Sequence, residues 1–280
     1  MSDHFATFSF VDRITEYEPG QLAHGLFAIP ATITAFPSCL VAEAVGQLAA
    51  WAAMAHVGFR ARPVAALAFE TRFVNDVMPG SELELAVALA SCDDAAVAYS
   101  GHARVGGATV VELHDCLGPM LDIEQFDSKA ALRDRFALLC GAGAEPGRFH
   151  GVTTPELVVT SELAGQSVRA ILLVPTDAPF FADHFPRRPV YPATLLLERQ
   201  IELALRLAGG ATDWHAGESI APMRMTNVKM RAFIAPGQRL ELLADMAAPI
   251  GETAKIALSA RIDGRQVATA QVEIGRRQNQ

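Results

Sequence analysis

Charged and aromatic residues are scarce in this 280-residue chain: Asp, Glu, Lys and Arg make up 19% and Phe, Trp and Tyr 7%. So few charges beside 51% hydrophobic residues exclude a solvated, disordered chain and predict a well-packed core. Cysteine is sparse and dispersed. The four, Cys39, Cys92, Cys116 and Cys140, form no Cys-x-x-Cys pair, so neither a zinc site nor a dithiol redox motif is predicted and reduced thiols are expected. Basic runs are missing, and with a net charge of -8 no nucleic-acid partner is expected. No apolar run is expected to span a bilayer; Ala49 to Val57 is short and alanine-rich. Met1 to Thr7 shows no basic stretch leading into an apolar one, so secretion is not predicted and a cytoplasmic location is expected.

Proline, by contrast, is concentrated in one informative place. Pro186, Pro189 and Pro192 follow His184 closely. Proline fixes its own φ and biases the preceding residue away from helix, which predicts an extended, rigid segment from Asp183 to Tyr191. An apolar helical pattern follows and carries Glu198, fourteen positions after His184.

The chain also repeats itself. Phe36 to Glu43 lies under Tyr191 to Glu198 at an offset of 155, and Met78 to Leu85 lies under Ala235 to Leu242 at an offset of 157. Arg104 to Gly107 matches Arg261 to Gly264 at the same 157. Internal similarity at this spacing, with a length suited to two domains, predicts two copies of one unit. Helices are expected from about Ser38 to Val57, ended by Gly58, and from about Ala193 to Leu207, ended by Gly209 and Gly210. Strands are expected at Ala66 to Val74, Glu82 to Ser91, Ala96 to Val105 and Thr109 to Leu117. Their counterparts are Met223 to Phe233, Arg239 to Ala247, Thr253 to Ile262 and Gln266 to Ile274, with Asp263 and Gly264 as a hairpin turn. One helix followed by antiparallel strands in each half is an α+β layout. The units are placed at 1–123 and 151–280, with 124–150 as a linker whose helix runs from Asp127 to Cys140.

Residues 180–198 resemble the signature of the hotdog-fold 3-hydroxyacyl-(acyl carrier protein) dehydratases of bacterial fatty acid synthesis. There a His-Phe-Pro-Gly-x-Pro-x-x-Pro-Gly loop precedes a helix bearing an acidic residue fourteen positions after the histidine. Arg187 and Ala193 stand where the family has its two glycines. Phe10 to Gly20 is similar to the opening of single-domain members, so the resemblance covers most of the chain outside the linker. It implies a double hotdog, two fused units each wrapping an antiparallel sheet around a central helix. It also implies a thioester substrate carried by acyl carrier protein or coenzyme A, and no metal or redox cofactor.

In that family the site lies at a dimer interface, with histidine from one protomer and the acid from the other. Carried onto two fused units, the resemblance pairs His184 as base with Glu43 as acid and puts Gln47 one helical turn further on. Glu198 and the position near Ile29, which matches His184 in the repeat, would form an inert pair. By the same resemblance the Ala193 N–H faces the thioester carbonyl at a helix start, and the Val190 carbonyl sets the His184 tautomer. Arg187 and Arg188 are either solvated surface charges or flank the tunnel mouth and meet a phosphopantetheine phosphate or an acidic carrier. If the units pair otherwise, Glu198 is the acid. Thioester hydrolysis and a non-catalytic acyl-binding or partner subunit stay open as other functions. Two units in one chain already make a pseudo-dimer, and further pairing of chains stays open.

Overall fold

Alternation of side chains builds the sheet. In the strand Glu82–Cys92, Leu83, Leu85, Val87 and Leu89 are buried, while Glu82, Glu84 and Ala88 face outward, the two-residue period of a half-buried strand. The structure is a computed structural model describing residues 4–210, 219–247 and 253–276. Its first part comprises β1 (Arg13–Glu18), β2 (Leu22–Ala28), α1 (Ser38–His56), β3 (Ala61–Pro63), β4 (Leu67–Phe73), β5 (Glu82–Cys92), β6 (Ala96–Val105) and β7 (Ala108–Asp122). After a linker helix α2 (Lys129–Cys140) come β8 (Leu157–Leu163), β9 (Ser167–Leu173), α3 (Ala193–Gly209), β10 (Ile220–Met230), β11 (Arg239–Met246), β12 (Thr253–Ile262) and β13 (Arg265–Arg276).

The strands join one antiparallel sheet in the order β1-β2-β5-β6-β7-β4-β10-β13-β12-β11-β9-β8, with β3 paired to β7. The order is a palindrome of the repeat: each half contributes the same succession, and the halves meet edge to edge where β4 pairs with β10. This is the double hotdog. The seam also removes two edges that would otherwise expose unpaired backbone.

Each half of the sheet curls around its own helix. α1 buries Leu40, Val41, Val45, Leu48, Trp51 and Met54 together with a run of alanines, leaving little of its surface open. Its 19 residues are apolar and long enough to pass for a membrane span, contrary to the expectation from sequence, but its apolar surface is spent on the sheet and on the helices beside it. Small side chains permit that closeness. Gly101 on β6 lies under Val45, and a Cβ there would sit 2.6 Å from the Ala86 carbonyl oxygen and 2.7 Å from Val45 Cγ1.

The two halves differ most between their second strand and their helix. Residues 29–37 join β2 to α1, whereas the longer segment 174–192 joins β9 to α3. β1 and β2 therefore precede β8 and β9 by 144 and 145 residues, not by the 155 that relates the helices. The first unit has not exchanged a histidine for Ile29; it lacks the part of the loop that would carry one. Nor is Asp183 to Tyr191 extended. Proline restricts φ but not the hydrogen bonding around it, and the segment doubles back so that the Val190 N–H reaches the His184 carbonyl at 3.0 Å.

The chain's beginning is tied to this loop. The Asp183 carboxylate accepts the backbone N–H of Thr7 at 2.8 Å, of Phe8 at 2.7 Å, and of Phe5. His4 sits between two carboxylates, Nδ1 at 3.2 Å from Asp183 and Nε2 at 3.2 Å from Asp127 of the linker. Burial works against its charge, but the two carboxylates outweigh that effect and raise the His4 pKa to about 9.

Two outcomes follow from this packing. Gly101→Ala overpacks the contact between α1 and β6, at a cost of about 1–3 kcal/mol, and lowers the Tm by about 3–10 °C; an unchanged melting curve would contradict the contact. A raised folded-state pKa means that the stability His4 supplies is complete below about 6.5 and is lost as pH rises through about 9. The Tm gap between wild type and His4→Gln therefore narrows from pH 7 to pH 10, and a constant gap would contradict the ion pairs.

Candidate active site

The loop's apolar side chains seat its histidine. Phe180, Phe181, Phe185, Val190 and Tyr191 are all buried, and the backbone between them is cross-tied by His184 N–H to the Phe180 carbonyl and Tyr191 N–H to the Ile234 carbonyl. His184 Nδ1 lies 2.8 Å from the Val190 carbonyl oxygen. A carbonyl can only accept, so Nδ1 carries the proton and Nε2 keeps its lone pair. Burial lowers the His184 pKa, helped by the Arg62 charge and opposed by Glu43 and the Val190 hydrogen bond. The imidazole is therefore neutral near pH 7 and able to accept a proton.

Glu43 comes from the other unit and is fixed by two neighbours. Its Oε1 accepts from Gln47 Nε2 at 3.0 Å, the helical turn bringing residue 47 onto the same face. Gln47 is itself held, accepting from Phe10 N–H at 2.8 Å and donating to the Phe8 carbonyl at 2.9 Å. Glu43 Oε2 lies 2.8 Å from the Thr194 hydroxyl at the start of α3, so the acid of the first unit touches the helix of the second. The repeat doubles this contact. Cys39 is the counterpart of Thr194, and its thiol hydrogen-bonds Glu198, the counterpart of Glu43.

A cavity of about 250 Å³ opens between the units and is lined by Glu43, Gln47, His184, Val190, Ala193 and Thr194 among others. Ala193 is the first residue of α3 after Pro192, so its N–H has no partner within the helix and lies at the positive end of the dipole. Along α1 the wall continues through Gly46, Ala50, Trp51 and Met54, facing Leu113 and Leu117, a slot of apolar character.

Some sequence-derived candidates fall outside this set. Glu198 does not line the cavity; burial raises its pKa, opposed by the Cys39 hydrogen bond and Arg199. Arg187 and Arg188 do not line it either. Arg187 pairs with Glu124, and its N–H bonds to the Phe126 carbonyl at 3.0 Å, so it ties the loop to the linker. Arg188 is exposed and lies over the Phe233 ring at 4.5 Å. Three residues that the sequence did not mark as site candidates matter here: Thr194, Arg62 and Asp183. Thr194 was accessible through its register with Cys39. Among the described residues no cluster of His, Cys, Asp and Glu has the makings of a metal site.

Comparison with known proteins identifies the family and the fold. Residues 155–271 match the family model of the FabA-like domain. The chain is similar to the 3-hydroxyacyl-[acyl-carrier-protein] dehydratase FabZ of Pseudothermotoga lettingae, 30% identical over 137 residues that span 48% of this chain and 92% of the relative. The FabZ of Tolumonas auensis is 32% identical over 114 residues, 39% of this chain and 74% of that one. Among solved structures, a putative oleoyl thioesterase from Lactobacillus plantarum superposes with a TM-score of 0.60 at 8% identity, covering 93% of this chain and 98% of its own. A tesB protein of Mycobacterium avium subs paratuberculosis gives 0.56 at 13% identity, covering 98% of each. At such identity these two show the shared fold alone. On the strength of its FabZ relatives and its FabA-like second unit, the chain belongs to the FabA/FabZ-like family of hotdog enzymes, carrying two hotdog units in one polypeptide.

Proposed function

We propose that the protein eliminates water from a 3-hydroxyacyl thioester to give the trans-2-enoyl thioester. The supporting observation is that a neutral, tautomerically fixed His184 and the hydrogen-bonded Glu43, from different units, line one cavity. His184 Nε2 takes the α proton, and the electron pair left on carbon moves toward the thioester carbonyl, whose oxygen the Ala193 N–H receives. As that charge returns, the α,β double bond forms and the β carbon–oxygen bond breaks. Glu43 delivers a proton to the departing hydroxyl, which leaves as water. Gln47 donates to Oε1 and so marks Oε2 as the proton-bearing oxygen. The Thr194 hydroxyl can donate to Oε2 or accept from it, and thus serves both protonation states.

The carrier in this reading is acyl carrier protein or coenzyme A, with the apolar slot along α1 taking the acyl group. Exposed Arg188, Lys229 and Arg231 adjoin lining segments of the cavity, which supports an anionic phosphate or an acidic carrier outside it. We place the reaction in the cytoplasm, where the four free thiols would stay reduced. Thioester hydrolysis is the competing reading, favoured by the thioesterases that share the two-unit fold.

Purified protein given a trans-2-enoyl thioester is expected to consume the enoyl absorbance reversibly without releasing thiol; thiol release instead would establish the hydrolase. His184→Ala and Glu43→Gln each lower kcat/KM by about 10²-fold or more, whereas Glu198→Gln stays within about threefold; the reverse ranking of the two acids would reject the composite site. Because the His184 pKa is lowered from 6.5, kcat/KM is level through neutrality and falls only on acidification below that value. An acid limb centred above 6.5 would contradict a desolvated base.

A further inference from the structure

The cavity is lined by one arginine that stacks on aromatic rings but has no hydrogen-bond acceptor among the described residues. Arg62, on β3, lines it, and its Nε is buried without an acceptor. Among the described residues the guanidinium has neither a hydrogen bond nor an ion pair. The two carboxylates whose charge it feels, Asp127 and Glu43, are committed elsewhere: Asp127 to the Ser128 N–H and His4, Glu43 to Gln47 and Thr194. Burial pulls the Arg62 pKa down to about 10, so the group is still charged at neutral pH. A desolvated cation whose donors face a cavity is costly unless something in that cavity accepts from them.

Its position indicates which part of a thioester that is. The guanidinium lies 3.8 Å over the Phe185 ring, next to the proposed base. Phe185 packs edge-on against Phe126 at 5.3 Å, and Phe126 against Phe233 at 5.8 Å. Arg188, exposed, closes the series over Phe126 and Phe233. Of these, Arg62, Phe185 and Phe233 line the cavity, with Phe126 buried behind the rings and Arg188 outside, over Phe233. The slot along Gly46, Ala50, Trp51 and Met54, in contrast, carries no charge. The acyl chain belongs in the slot, and the arm that carries the thioester sulfur belongs on the side lined by Arg62, Phe185 and Phe233.

We propose that Arg62 is a substrate-binding residue that donates to the amide carbonyl oxygens of the pantetheine arm, the part shared by coenzyme A and carrier-protein thioesters. The assignment rests on the reading of the cavity as a thioester site but not on the reaction performed there. Guanidinium supplies planar, paired donors that suit a carbonyl oxygen held against an aromatic face, which accounts for a charge kept inside an otherwise apolar neck.

Calorimetry with two unreactive ligands of one alkyl length tests it: S-octyl-pantetheine, and octyl 2-hydroxyethyl sulfide, which lacks both amides. Wild-type protein should bind the pantetheine ligand at least about tenfold more tightly; equal affinity overturns the proposal without any variant having to fold. Arg62→Met, which keeps the bulk over Phe185, should lose that advantage while binding the amide-free ligand as wild type does. A variant that keeps the advantage, or weakens both ligands equally, overturns it as well. Neither ligand can be dehydrated or hydrolysed, so a failed dehydratase assay leaves this result standing, and the reverse holds too.

Discussion

The antiparallel pairing of β4 with β10 is the constraint on which the rest depends. A ladder running from Arg224 opposite Arg72 to Lys229 opposite Leu67 locks the two curled sheets into a single surface. It thereby sets α1 and α3 side by side inside. Once the helices are adjacent, Thr194 of one meets Glu43 of the other, and the loop ahead of α3 lies over the acid of α1. The ion pairs near the seam, such as Arg224 with Glu273 at 2.7 Å, are partly exposed and contribute little. Backbone pairing and the buried apolar faces hold the arrangement.

Fusion lets the two halves diverge, as identical protomers cannot. The second unit keeps a long loop whose histidine is oriented by a backbone carbonyl, and the first keeps an acid with a hydrogen-bonded support reaching to Phe8 and Phe10. What each half gave up is equally physical. In the first unit's shorter loop Ile29 and Phe36 are buried, Phe36 packing on Phe27 of β2. Opposite it, Glu198 faces a thiol and does not line the cavity shared by His184 and Glu43. Residues 5, 8 and 9, in a segment pinned by Asp183, line the cavity beside the histidine although they are distant from it in sequence.

Much of this was legible from residue spacing. The offset between Glu43 and Glu198 located both helices, which run Ser38–His56 and Ala193–Gly209, and the alternating segments located most strands. β7 runs on to Asp122, beyond the expected Leu117, because β3 and β6 offer it partners that no local propensity signals. The loop's compactness was hidden because proline content reports φ, whereas the fold-back depends on hydrogen bonds between His184 and Val190. Matching Ile29 to His184 carried the helix offset across a length change that only the strand positions expose. Arg62 had no sequence signal, since three residues at a sheet margin form no motif and its significance lies in what it fails to contact. Arg187 lies outside the cavity because its side chain found a carboxylate on the linker, a pairing that sequence spacing does not signal.

The central claim is that a base from the later unit and an acid from the earlier unit act on one substrate. The most direct measurement is a double-mutant cycle on kcat/KM for water elimination, combining His184→Ala with Glu43→Gln in one chain and with Glu198→Gln in another. Groups that act as a unit are strongly non-additive. The account predicts that adding Glu43→Gln to His184→Ala costs almost nothing further, whereas Glu198→Gln leaves the rate of either background unchanged. Multiplying losses for His184 with Glu43, together with non-additivity for His184 with Glu198, would contradict it.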